Sequence, residues 1–142
     1  MAESEEHIFL VRMIEEYAAK SHPLRQVLSD AAPELGGNRP PTIGDFIPDV
    51  YCPIASGLPL LIGEAKTVPD LMNEHTKKQI AAYLRHLKGI GKGTLCIATR
   101  WDYVQFVCNS LRQCKIAMRG LPIECVVLGT KGISRQLVLG DR

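Results

Sequence analysis

From residue 5 to about residue 20 the apolar positions Phe9, Leu10, Met13, Ile14 and Tyr17 recur at helical spacing, while Arg12, Glu16 and Ala19 fall on the other side. The pattern predicts an amphipathic helix. Residues 23 to 28 have room for one more helical turn. Between residues 31 and 44 the pattern breaks, because Pro33, Gly36, Gly37, Pro40 and Pro41 exclude regular structure and predict a loop. Two extended runs follow, about residues 45 to 52 and 58 to 67. The Pro and Gly between them suit a hairpin turn that makes the two runs antiparallel neighbours.

Asn73 is placed to cap a second helix running to about Lys88, with Thr76, Ile80, Tyr83, Leu84 and Leu87 inward and Lys77, Lys78, Arg85 and Lys88 outward. Gly89, Gly91 and Gly93 end it. Residues 94 to 99 form a short β-branched and apolar run, the mark of a buried strand. Helical spacing returns with Tyr103, Phe106, Val107, Ser110, Leu111 and Cys114. Residues 123 to 128 read as a last strand, and residues 136 to 139 as a small edge strand after a Gly-containing turn. The order predicts an α/β fold, a mixed central sheet of four to five strands flanked by helices on its faces.

With 142 residues, 46% hydrophobic and 23% charged, the chain reads as one soluble domain over residues 1–142, with a short flexible N-terminus at residues 1–4. Seventeen Lys and Arg against fifteen Asp and Glu give a net charge of only +2, so any binding of a polyanion must be local. No apolar run approaches the ~20 residues of a membrane span, and the acidic start lacks a signal peptide's features, so a cytoplasmic protein is expected. Five cysteines without Cys-x-x-Cys spacing argue for buried thiols rather than disulfides or a zinc site, and against cysteine-based catalysis.

Asp49 and Glu64 each interrupt an apolar strand run, where an ionised side chain is costly unless paired. Glu64 and Lys66 share one strand face. A reversal near Ala55 places Asp49 opposite Ile62 or Gly63, so the two carboxylates can converge on one cation beside the Lys66 ammonium. Two hard oxygens with open water positions suit Mg²⁺ and a phosphate-bearing substrate. The competing reading is a plain Glu64–Lys66 ion pair with Asp49 as a turn residue.

Pro48-Asp49, then after fourteen intervening residues Glu64-Ala65-Lys66, then Gln79 and Tyr83 four apart, together resemble the PD-(D/E)XK nuclease superfamily and its RecB-like branch with a Gln-x-x-x-Tyr motif. The resemblance covers about residues 5 to 100. It implies a restriction-endonuclease-like core and a nuclease that hydrolyses DNA phosphodiesters. Asp49, Glu64 and the carbonyl of Ala65 would bind Mg²⁺, or Mn²⁺ in its place. Lys66 would assist the attacking water, and Gln79 and Tyr83 would flank the site. The residues alone leave Tyr83 equally readable as a core aromatic and Gln79 as a boundary residue.

Relatives also place a first-helix glutamate near the metal, and of Glu5, Glu6, Glu15 and Glu16 we select Glu6, which projects with the apolar side. Asp45, after Gly44, is the minor alternative to Asp49. Asp70, Glu74 and His75 read equally as loop ligands or capping residues, and His7, His22 and His86 are expected in surface or boundary roles. Nucleic-acid contact is assigned to Lys77, Lys78, Arg85 and Lys88, with Lys92 and Arg100 nearby. Trp101, at the start of a helix, is expected to pack rather than to stack on a base. The substrate is expected to be DNA, with RNA as a second candidate, and a homodimer or protein partner is expected to assist target choice. The alternative function is a catalytically inactive module of the same fold that binds nucleic acid or a protein.

Overall fold

The computed structural model describes residues 4–22, 25–29, 39–55, 57–71, 73–113 and 123–139. Three helices and six strands alternate as α1 (Glu5–Ser21), β1 (Leu28–Ser29), β2 (Val50–Cys52), β3 (Leu61–Ala65), α2 (Glu74–Ile90), β4 (Thr94–Thr99), α3 (Val104–Arg112), β5 (Ile123–Gly129) and β6 (Ser134–Leu139). The strands form one sheet in sequence order. β3, β4 and β5 run parallel, and β1, β2 and β6 pair antiparallel at the two ends. The fold is therefore α/β with a mixed sheet, of six strands rather than four to five. The extra strand is β1: Leu28, read as part of a helical turn, pairs with Tyr51 instead.

Capping fixes both long helices. Ser4 accepts from the N–H of His7 to start α1. Asn73 accepts from the N–H of Thr76 to start α2, and Gly91, in the left-handed region at φ +100°, closes it.

Strand alternation splits the core into two layers. On one face α1 contributes Leu10, Val11, Ile14 and Ala18 against Val50, Leu61, Ala65, Cys96 and Ala98. On the other, α2 and α3 cover Ile62, Leu95, Ile97 and Val127 with Tyr83, Leu87, Val107 and Leu111. The buried side of α1 is thus rotated from the expected one. Phe9 is 57% exposed, because Leu10, Ile14 and Ala18 take the innermost line. Cys52, Cys96, Cys108 and Cys125 are buried free thiols, as expected; Cys114 lies outside the described residues. Burial raises the thiol pKa of Cys96, which keeps it protonated and unreactive. No helix among the described residues is long and apolar enough to cross a membrane.

Gly63 is where α1 meets the sheet. A Cβ there would sit 2.5 Å from Ile14 Cγ2 and 3.1 Å from Val50 Cβ. The Ile14 methyl is fixed on a β-branched carbon, so the helix itself would have to move. Gly63→Ala is expected to destabilise the fold by about 1–3 kcal/mol, read as a lower urea midpoint at unchanged slope. An unchanged midpoint would show that the helix does not rest on this strand so closely.

Candidate active site

The register of the β2–β3 hairpin sets the site. Val50 pairs with Gly63 and Cys52 with Leu61, so the reversal is centred between residues 56 and 57, and Asp49 comes opposite Glu64 rather than Ile62 or Gly63. The Ala55–Leu58 backbone pair inside the loop explains the shift, since each donates its N–H to the other's carbonyl. The slip favours the site, because residues opposite each other in an antiparallel pair project from the same face.

Glu64 and Lys66 follow Ile62 on the face covered by α2. Two residues of strand span about 6.6 Å and four residues of helix about 6 Å, so a pair at i and i+2 on β3 matches a pair at i and i+4 on α2. Gln79 and Tyr83 are that pair. Lys66 Nζ donates to Gln79 Oε1. Gln79 Nε2 donates to Glu64 Oε1 at 2.9 Å, and the Tyr83 hydroxyl donates to the same oxygen at 3.0 Å. Asp49 Oδ2 accepts the N–H of Ala65 at 2.8 Å. Its other oxygen, Oδ1, lies 3.4 Å from His7 Nε2.

All five side chains of the motif are buried, Glu64 to 2% exposure. Burial drives the Glu64 pKa well above the ordinary carboxylate value, and the negative charge and hydrogen bond of Asp49 drive it further, against the opposing effects of Lys66 and Tyr83. For Asp49 burial alone would raise the pKa. Hydrogen bonds with His7 and Glu64 and the Ala65 N–H outweigh it, and the group is held below its ordinary value. The two carboxyl groups thus shift in opposite directions, Glu64 up and Asp49 down, each acting on the other.

These residues fit a divalent metal. Mg²⁺ takes one or two carboxylates and keeps several waters. Asp49 and Glu64 supply the carboxylates, and the Ala65 carbonyl leaves the strand on the same edge as the N–H that reaches Asp49. Among the described residues no group of three or more His, Cys, Asp or Glu side chains is arranged to hold a metal.

Other expectations land differently. Glu6 is exposed, with its charge acting on Arg100; the first-helix residue that reaches Asp49 is its neighbour His7. Asp45 is an exposed turn residue after Gly44, inside the Ile43–Phe46 bridge. Asp70 accepts from Thr67 Oγ1, Glu74 pairs with Lys77, and His75 stands edge-on to Phe46, so these three close the loop and helix start rather than join the carboxylates. Lys77, Lys78, Arg85 and Lys88 are exposed on the side of α2 away from Gln79 and Tyr83, so this stripe does not face the site. Trp101 is 43% exposed and so does not pack as expected.

His7 is the residue that the sequence reading missed. The signal for it was positional: one residue after Glu6, it lies at the helix start on the side turned toward the β2–β3 edge. Comparison with protein-family models, with curated proteins and with solved structures finds no match to this chain.

Proposed function

We propose that the chain is a metal-dependent nuclease of the PD-(D/E)XK type, with a restriction-endonuclease-like core, that hydrolyses phosphodiester bonds in DNA. One observation carries this reading: the β2–β3 register brings Asp49 opposite Glu64 on one face, where each acts on the other, beside an ammonium that Gln79 holds in place. Asp49, Glu64 and the Ala65 carbonyl would hold Mg²⁺, with Mn²⁺ able to substitute. Such an ion supplies Lewis-acid stabilisation of the phosphoryl oxygens and lowers the pKa of an attacking water.

The side chains do the rest. With an ion bound, Glu64 would be ionised and any proton it carried would pass to solvent, so both carboxylates would be available. Lys66 sets a fixed positive charge next to the phosphate, where it orients the water and stabilises negative charge as it develops. The water oxygen bonds to phosphorus, the bond from phosphorus to the departing sugar oxygen breaks, and that oxygen takes a proton. Gln79 holds Lys66 and Glu64 at a set separation, and Tyr83 fixes the rotamer of Glu64.

Plasmid DNA is expected to be cut by the purified chain in millimolar Mg²⁺ or Mn²⁺ and left whole in chelator. Asp49→Asn keeps the side-chain shape and removes one metal-binding charge, so cutting should disappear while the melting midpoint stays within a few degrees. Intact DNA under every metal condition would remove the nuclease reading and leave the inactive binding module.

A further inference from the structure

Trp101 is the sole tryptophan of the chain, and it opens a short 3-10 turn, Trp101–Tyr103, where β4 ends. Because β3, β4 and β5 are parallel and in register, Ala65 lies beside Ala98 and Thr99 beside Gly129. Lys66, Thr99 and Gly129 therefore stand level at one end of the sheet, and Trp101 and Lys131 lie two residues further along. Both lie in the 3-10 turns that follow β4 and β5, at the same end of the sheet as Lys66.

Several features hold this indole out rather than in. The Trp101 backbone N–H donates to Thr130 Oγ1 at 3.0 Å, which ties the turn to the β5–β6 connection. Lys131 places its ammonium 4.6 Å from the ring centroid. It does so from φ +60°, the one positive φ of a non-glycine among the described residues. Lys131 also joins Phe9, Met13, Tyr17 and Leu128, with the paired Glu16 and Lys20, in lining a cavity of about 370 Å³ beside α1. An exposed aromatic, a cation over its face and a largely apolar cavity thus meet at the end of the sheet where Lys66 stands.

We propose that this group binds an unpaired stretch of the nucleic acid whose phosphodiester reaches Lys66. One base stacks on Trp101, the next enters the cavity beside Phe9, and Lys131 meets the phosphate between them. This rests on the nuclease reading above and narrows its substrate to single-stranded or overhanging nucleic acid. A base within a duplex offers only its edges in the grooves, whereas an unpaired base offers a face. The charges around the indole support stacking over simple attraction. Arg100 is engaged by Asp102 through Nε at 2.6 Å and through Nη2 at 2.8 Å, and the charge of Glu6 acts on it too. Lys131 is left as the cation at the ring, so the salt dependence should be that of about one phosphate contact.

The test is run in chelator, where no cutting occurs. Metal-free protein is titrated with oligothymidylate of about ten nucleotides, and the emission of the lone indole is followed. Saturable quenching is expected, with binding at least about fivefold weaker to the same oligonucleotide in a blunt duplex. Trp101→Ala, followed by the anisotropy of a labelled oligonucleotide, should weaken binding by about tenfold, the size of one base–aromatic stack. Lys131→Gly relieves the positive φ, so its melting midpoint should hold or rise while binding weakens several-fold. Absence of saturable quenching, equal binding of the blunt duplex, or undiminished binding by Lys131→Gly overturns the inference. DNA cut in Mg²⁺ by a protein that fails these measures overturns the platform alone; quenching without any cutting in metal overturns the nuclease reading alone.

Discussion

Lys66→Met is expected to slow DNA cleavage by roughly 10²- to 10⁴-fold while the protein still folds. Methionine keeps a straight apolar stem in the space that the lysine methylenes fill, and it removes only the ammonium. Two consequences follow from the hydrogen bonds. Gln79 Oε1 loses its donor, and Glu64 loses the positive charge that favours its ionised form. The ammonium also repels a dication, so the variant should bind Mg²⁺ no more weakly while it turns over more slowly. Single-turnover rates at saturating metal isolate the loss of rate, and Lys66→Arg is the useful control. A guanidinium retains the charge but is planar and longer, so it should restore the rate only in part. A Lys66→Met protein that cuts at the wild-type rate would remove Lys66 from the chemistry.

The metal-free protein is expected to lose stability as pH rises from mildly acidic to mildly alkaline, and Mg²⁺ is expected to reverse the loss. Glu64 has a folded-state pKa well above its ordinary value, because of its burial and the Asp49 charge beside it. The folded state therefore holds a proton over a range in which the unfolded chain has released it. The stability linked to Glu64 is complete below the unfolded carboxyl range and falls away as pH climbs toward the folded pKa, with a slope of up to about 1.4 kcal/mol per pH unit for one proton. Asp49 has the opposite sign. Its pKa is lowered in the fold, so its contribution is present above the ordinary carboxylate range and disappears only as the solution becomes strongly acid. The metal-free optimum accordingly lies in the mildly acidic window between the two.

Mg²⁺ competes with the Glu64 proton. Its stabilising effect should be larger at about pH 8 than at about pH 5.5, with close to one proton released per ion, measurable by calorimetry in buffers of different ionisation enthalpy. Glu64→Gln retains the side-chain shape, flattens the pH dependence and abolishes the metal response. A wild-type midpoint that is flat across this range would mean that the fold does not raise the Glu64 pKa.

Much of the site was legible because strand and helix periods impose it. Glu64 and Lys66 lie on one face of any strand that contains them, and Gln79 and Tyr83 on one face of any helix, so the four could be grouped before their neighbours were known. The fold class followed from the same periodicities, and β4 was found at its observed ends because six buried β-branched and apolar residues bounded by Gly93 and Arg100 leave little freedom. What was lost depended on rotation and register. Phe9 and Leu10 are adjacent and both apolar, and nothing local says which turns toward the sheet; Gly63 decides it, by admitting Ile14 and so rotating Phe9 outward. The same rotation brings His7 to Asp49 and turns Glu6 toward Arg100. The hairpin register depended on a bridge inside an irregular loop, and β1 is only two residues long, too short to carry a period. The Pro- and Gly-rich stretch at residues 31 to 38 lies outside the described residues.

Lys66 and Glu64 are near neighbours, an ammonium and a carboxyl group, yet among the described residues no ion pair joins them directly; the carboxamide of Gln79 stands between, accepting from one and donating to the other. An amide performs both tasks without carrying charge of its own. Had a hydrophobic residue occupied that helix position, the strand's two charges would be drawn to quench each other, and neither would be available to a visitor. The spacer keeps them separately addressable, one for a cation and one for an anion, so a single neutral side chain decides whether this strand carries a self-satisfied salt link or a site with two faces of opposite appetite.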